Sequence, residues 1–407
     1  MPPRPTPAPG QLLPRPLMPG AKRPAAPWAL ALPAGRRARA RLCLRLAAPL
    51  SFLLLLAAFL RTQPPAAPLA ALPPSAGPGK VAFLFLARAG LPLDFLWDAF
   101  FRNGEEGRFS VYVHSAPGFV LDRTTTGSPY FYGRQLARAV KVAWGEPTMV
   151  QAEKMLFAAA LEDPANQRFV LLSDSCVPLY NFSYTYTYLM GSPKSIVDSF
   201  TDKAEKRYNP NMSPVIRKDK WRKGSQWVML IRKHAEVVVG DKHVFQVFRK
   251  HCKVVVVLVM WMLEFPLTLF SPFLILDKGA AQEEHDCIPD EHYVQTLFSI
   301  KGLEDELERR TLTYTSWNQS SLDPKDKMTW HPTTFEYDAA SPEQINAIKS
   351  IDHVNYEVEH RTEWCQSNGT SVPCFLFARK FSYGAAMHLL EDGAFGLLKS
   401  AQLLVNF

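Results

Sequence analysis

The chain has 407 residues, 47% of them hydrophobic, and a formal net charge of +8, which excludes a wholly disordered chain, a collagen and a disulfide miniprotein. The positive charge is confined to one tail: residues 1–80 hold eleven Lys or Arg and no acid, while the remaining 327 carry 35 basic and 38 acidic side chains. The body is near neutral, which removes the electrostatic footprint expected of a nucleic-acid binder.

Residues 1–45 are rich in Pro, Ala and Arg, lack apolar periodicity, and read as a disordered basic tail. The uncharged run 46–60 follows, bracketed by Arg45 and Arg61. Fifteen residues fall short of the ~20 that cross a typical bilayer. Snorkelling of the two arginines and a thin early-secretory membrane make a span feasible. Nine basic residues before the run and two after it, through Lys80, place the N-terminus in the cytosol and the body in a lumen. The reading is a type II signal anchor, with a cleaved signal peptide or an organelle transit peptide as alternatives. Residues 61–79 are proline-rich and read as a stiff stem.

From residue 80 the pattern is that of a folded domain extending to 407. Val81–Ala87 is a continuous apolar run, the mark of a parallel strand buried on both faces. Leu93–Arg102 reads as a helix, Ser110–His114 as a strand, Gln151–Glu162 as a helix and Arg168–Ser173 as a second buried strand. Strands are expected again at Gln226–Ile231 and Leu312–Thr315, and helices at Asp290–Ile300 and Pro342–Ser350. This alternation predicts an α/β sheet with its site at the C-terminal ends of the strands. One segment breaks the pattern: Val254–Leu276 is 23 residues long with a single charge, Glu264. By length it could cross a membrane, but Pro266, Pro272 and Glu264 argue against a clean span. Asn181, Asn211, Asn318 and Asn368 begin Asn-x-Ser/Thr acceptors, which modestly favours a lumenal body. In an oxidising lumen, Cys365 and Cys374 are the expected disulfide, with one of the body's five cysteines left free.

Nine stretches between Lys80 and Phe381 carry a family resemblance: VAFLFLARAGLPLDFLW, SVYVHSAPG, WGEPTMVQAEKMLFAAAL, RFVLLSDSCVPLYNF, KWRKGSQWVML, CIPDEHYVQTL, YTSWN, HRTEWC and PCFLFARKF. In these the chain resembles the plant branch of the core-2/I-branching β-1,6-N-acetylglucosaminyltransferases. The resemblance implies a type II Golgi membrane glycosyltransferase with a GT-A-like, Rossmann-type fold. It implies a nucleotide-sugar donor such as UDP-GlcNAc and a glycan acceptor. The family has a polar link where this chain has the hydrophobic run 254–276.

Sugar transfer needs a base for the attacking hydroxyl and positive charge for the departing diphosphate. No Asp-x-Asp metal motif occurs; the strand ending at Ser173 is followed by Asp174 and Ser175. The expectation is therefore metal-free catalysis with no cofactor, cationic side chains replacing the ion. Glu291, after Pro289 and Asp290, is the candidate base, because the resembled family uses the Glu of this motif in an inverting displacement. Unaided, the two acids would read as complements to a helix N-terminus. For the donor, the resemblance points to Lys380, with Arg379 and Arg361 as weaker partners, although a basic pair after a strand is ordinarily a solvated edge. Asp174 would either contact the nucleotide or cap the next turn. On the acceptor side, Trp317 could stack on a sugar face or pack in the core. Lys220 and Arg222 lie where the family places acceptor contacts, and a solvated charged loop is their alternative. A competing function is a catalytically silent Golgi protein that binds glycans or scaffolds other enzymes.

Overall fold

The computed structural model describes residues 77–203, 207–252, 287–317, 332–367 and 369–393. The expected signal anchor at 46–60, the stem, the hydrophobic run 254–276, Asn318 and Asn368 lie outside these residues. Among the described residues, no helix is long and apolar enough to cross a membrane.

The centre is a mixed sheet. Its first three strands are β1 (Lys80–Leu86), β2 (Phe109–His114) and β3 (Asn166–Ser173), with β1 paired in parallel to both neighbours. β4 (Val177–Pro178) leaves this sheet. β5 (Ser195–Ile196), β6 (Met229–Ile231) and β7 (Leu307–Glu308) complete the order β2-β1-β3-β6-β5-β7, with β6 antiparallel to β3. Strand β1 explains why its sequence is unbroken by polar residues. Val81, Phe83 and Phe85 enter one hydrophobic cluster while Ala82, Leu84 and Leu86 enter another, so both faces are dry. Gln226–Ile231 forms a strand only over its last three residues; the earlier ones belong to a loop that enters the site.

Helices cover both faces of the sheet. On the Phe83 side lie α1 (Asp94–Arg102), which follows the amphipathic pattern expected from the sequence, and, further along the chain, α3 (Phe182–Gly191), which the sequence reading did not anticipate. The opposite side holds α2 (Pro147–Leu161), α4 (Arg232–Gly240), α5 (His243–His251) and α6 (Tyr293–Lys301). Helix α2 begins four residues before its expected start because Pro147 sits at the first helical position, where a missing N–H costs nothing. The expected helix at Asp290–Ile300 is in fact two elements. A 3-10 turn spans Pro289–Glu291, and His292, whose backbone (φ −129°, ψ −25°) is neither helical nor extended, separates it from α6.

A second, three-stranded sheet joins β4, β8 (Thr313–Thr315) and a late strand in the order β4-β13-β8. Between them in sequence lie α7 (Pro342–Lys349), the hairpin β9 (His353–Tyr356) and β10 (Arg361–Trp364), and the short pair β11 (Gln366–Ser367) and β12 (Thr370–Ser371). The late strand is β13 (Phe377–Arg379), followed by α8 (Tyr383–Glu391). Cys365 and Cys374 form a disulfide, Cys252 and Cys287 form a second, and the buried Cys176 is free. The architecture is thus mixed α/β with a parallel-rich core sheet, consistent with a GT-A-like domain.

Candidate active site

A cavity of about 1840 Å³ opens at the C-terminal ends of β1, β2 and β3. The second sheet brings its own strand ends, β8 and β13, to the same cavity. This volume exceeds the ~300–1,000 Å³ of an ordinary small-molecule site and leaves room for two substrates.

Glu291 enters the cavity from the 3-10 turn, its side chain 26% exposed. Two devices hold that turn. The Cys252–Cys287 disulfide lies immediately before it, and Ile288 takes a left-handed backbone (φ 30°) that a β-branched residue rarely adopts. From the other side, Gly224 N–H donates to the Glu291 carbonyl at 2.9 Å. Glycine is required at 224, because a Cβ there would lie 1.9 Å from the Asp198 carbonyl oxygen. Asp198 anchors the same loop by accepting from Ser225 N–H at 2.9 Å and from the Tyr356 hydroxyl at 2.6 Å. The Glu291 carboxylate lies 3.7 Å from Lys223 Nζ.

Behind Glu291 is a buried acid that the sequence did not single out. Asp290 is almost fully enclosed, and its Oδ1 has no hydrogen-bond partner. Burial first, and the neighbouring Glu291 charge second, push its carboxyl up to about 7. Arg379 and Arg207 oppose that shift. Glu153, buried on α2 and bonded by Gln226 Nε2 at 3.0 Å, is raised in the same way, with Asp290 as its second cause. An unfolded Asp titrates near 3.8, so between there and about pH 7 the folded chain binds the extra proton. This contribution to stability is full below about 3.8 and is lost as pH rises through about 7. Asp290→Asn should therefore flatten the fall in melting temperature between pH 4 and 7.5 relative to the parent, with Glu153 leaving a residual slope of the same sign; parallel curves would refute it.

The same cavity also holds cations from the end of β13. Arg379 ends β13, stacks over the Trp227 ring at 4.6 Å and donates from Nε to Ser173 Oγ at 3.4 Å. Its pKa is lowered by burial and supported by Cys176, Asp174 and Asp290. Lys380 follows it into the cavity, its pKa lowered by burial and then by the positive charges of Arg379 and Arg88. Asp174 lies in the same cavity and is ion-paired: its Oδ2 accepts from Arg88 Nε at 3.0 Å. Trp317 lines the cavity with its side chain 49% exposed, so it is not a core residue.

Three residues of the sequence reading are not brought to the cavity. Arg361 pairs with Glu359 at 3.0 Å and with Glu363, and covers the Tyr356 ring, so its charge is spent on holding the β9–β10 hairpin. Arg222 makes two bonds to the Glu304 carboxylate, at 2.8 and 3.2 Å, which clamp its loop to the end of α6. Lys220 sits in a short 3-10 turn outside the lining. Their neighbour Lys223 is the cation of that segment that reaches the cavity. Asn181 is exposed and caps α3, its Oδ1 accepting from Tyr184 N–H at 3.0 Å, and Asn211 is also exposed. Arg88, Lys223 and Asp290 are cavity residues that the sequence reading missed. Arg88 carried a usable signal, since it lies just beyond the end of a buried parallel strand.

Comparison with known proteins gives a consistent result. Residues 81–349 match the family model described as Core-2/I-Branching enzyme. The chain is also 53% identical over 325 residues to a rice (Oryza sativa subsp. japonica) protein named Glycosyltransferase BC10, covering 79% of this chain and 78% of that protein.

Proposed function

The chain belongs to the Core-2/I-branching enzyme family and is a glycosyltransferase, and on that premise we propose that it is an inverting, metal-independent enzyme. It moves a sugar, N-acetylglucosamine by family resemblance, from a nucleotide-sugar donor such as UDP-GlcNAc to a hydroxyl of a glycan acceptor. The observation that carries this reading is the shared cavity, which Glu291, Arg379 and Lys380 all line.

In this mechanism the donor's diphosphate lies against Arg379 and Lys380, whose charges stabilise the negative charge that grows as the anomeric C–O bond breaks. The acceptor hydroxyl approaches from the Glu291 side, opposite the leaving group. As its oxygen bonds to the anomeric carbon, Glu291 takes its proton, and the nucleoside diphosphate departs with the bonding electron pair. Attack opposite the leaving group inverts the anomeric configuration. The chemistry of the residues supports a metal-free version. The acid at the end of β3 is Asp174, which is already engaged with Arg88, and no Asp-x-Asp pair is present. Transfer from UDP-GlcNAc to a glycan should therefore survive EDTA; loss on chelation that manganese restores would overturn metal independence.

The same proposal keeps the body in the Golgi lumen behind a type II anchor at 46–60. Two disulfides and the exposed acceptors Asn181 and Asn211 support an oxidising, glycosylating compartment.

A further inference from the structure

Arg88 follows β1 and lines the cavity, yet its side chain is 87% exposed. It is nonetheless held in place. Asp174 Oδ2 accepts from both the Arg88 backbone N–H, at 3.3 Å, and its Nε, at 3.0 Å. A guanidinium held through Nε leaves N–H bonds of its two terminal amino groups on the far edge, in the fork geometry that suits phosphate oxygens. No hydrogen bond to either of those groups is found among the described residues. Arg88 also acts on its surroundings: its positive charge bears on both Arg379 and Lys380, and Asp174 is the acid that opposes it at Lys380. Three cations thus face one region of the cavity, from the ends of β1 and β13, with one carboxylate anchored among them. Such an excess of like charge is relieved by a polyanion.

We propose that Arg88 is a third cation of the diphosphate subsite, positioned by Asp174 so that its free guanidinium edge completes the pair formed by Arg379 and Lys380. This rests on the reading of that pair as the diphosphate clamp. It makes Asp174 a positioning residue and not a nucleotide ligand. It also supplies charge that many related reactions draw from a divalent ion.

The test is calorimetric binding of UDP, UMP and uridine to the parent chain, Arg88→Ala, Arg88→Gln and Lys380→Ala. Arg88→Gln keeps an N–H for Asp174 without the charge. Both Arg88 variants should bind UDP about tenfold more weakly, UMP less affected and uridine unchanged, as expected for a charge-assisted bond to phosphate. Their melting temperatures should stay within a degree or two of the parent, since the side chain is exposed. If the Arg88 variants bind UDP like the parent while Lys380→Ala does not, Arg88 is an idle surface ion pair and the inference falls. An equal loss for uridine also overturns it, because the contact is then not to phosphate. If Lys380→Ala binds UDP normally as well, the diphosphate clamp itself is wrong.

Discussion

Glu291→Gln is expected to lower kcat by about 10²–10⁴-fold, the usual contribution of a positioned general base. Glutamine has nearly the same shape, so the 3-10 turn and the Gly224 bond to the 291 carbonyl, which is a backbone contact, should persist. What disappears is the ability to take the acceptor's proton. Donor binding should be almost unchanged, because in the proposed mechanism the carboxylate meets the acceptor hydroxyl while Arg379 and Lys380 meet the diphosphate. A steady-state assay with UDP-GlcNAc, together with UDP titration and a melting curve, separates these effects. A variant that transfers sugar at the parental rate would remove Glu291 from the mechanism. A variant that also loses UDP affinity would place the carboxylate in the donor site instead.

Lys380→Ala is expected to weaken donor binding by about 10- to 100-fold, the range for losing one charge-assisted bond in a partly enclosed site. Lys380 suits this test better than Arg379. Arg379 is packed on Trp227 and bonded to Ser173, so its removal would also disturb the wall. The backbone of Lys380 is held independently of its side chain, with its carbonyl accepting from Phe335 N–H at 2.8 Å. The loss should appear in the donor KM and in UDP affinity, and the parent's affinity should fall more steeply with added salt than the variant's. Equal salt slopes and equal affinities would show that the ammonium does not meet the diphosphate.

The two experiments probe the proposed base and the proposed diphosphate contact of one cavity, and the sequence located that cavity's residues unequally well. Glu291 and Lys380 were found through family motifs. Asp290 was read only as a companion of Glu291, because a carboxylate next to a helix start is commonplace on a surface. Around it pack α2, with Glu153 from 137 positions upstream, and the loop before β6, with Gln226 from 64 positions upstream. Arg361, Lys220 and Arg222 show the converse. Each is a basic residue in a plausible motif, but whether its charge is available depends on a partner: Glu304 is 82 positions from Arg222. Likewise Arg88 sits at a strand end visible in the sequence, but the acid that orients it is Asp174, 86 positions away.

What the sequence determined by itself was whatever depends on neighbouring residues. A strand wet on neither side must be apolar at every position, so β1 and β3 were readable directly, as were helices α1, α2 and α7 and the strand ends that point toward a site. Tertiary structure decided how each charge is used. Coulomb energy depends on distance in space and on exclusion of water, and neither is encoded locally. The fold therefore assigned Arg361 and Arg222 to ion pairs and placed Arg88, Arg379 and Lys380 around the cavity that Glu291 also lines.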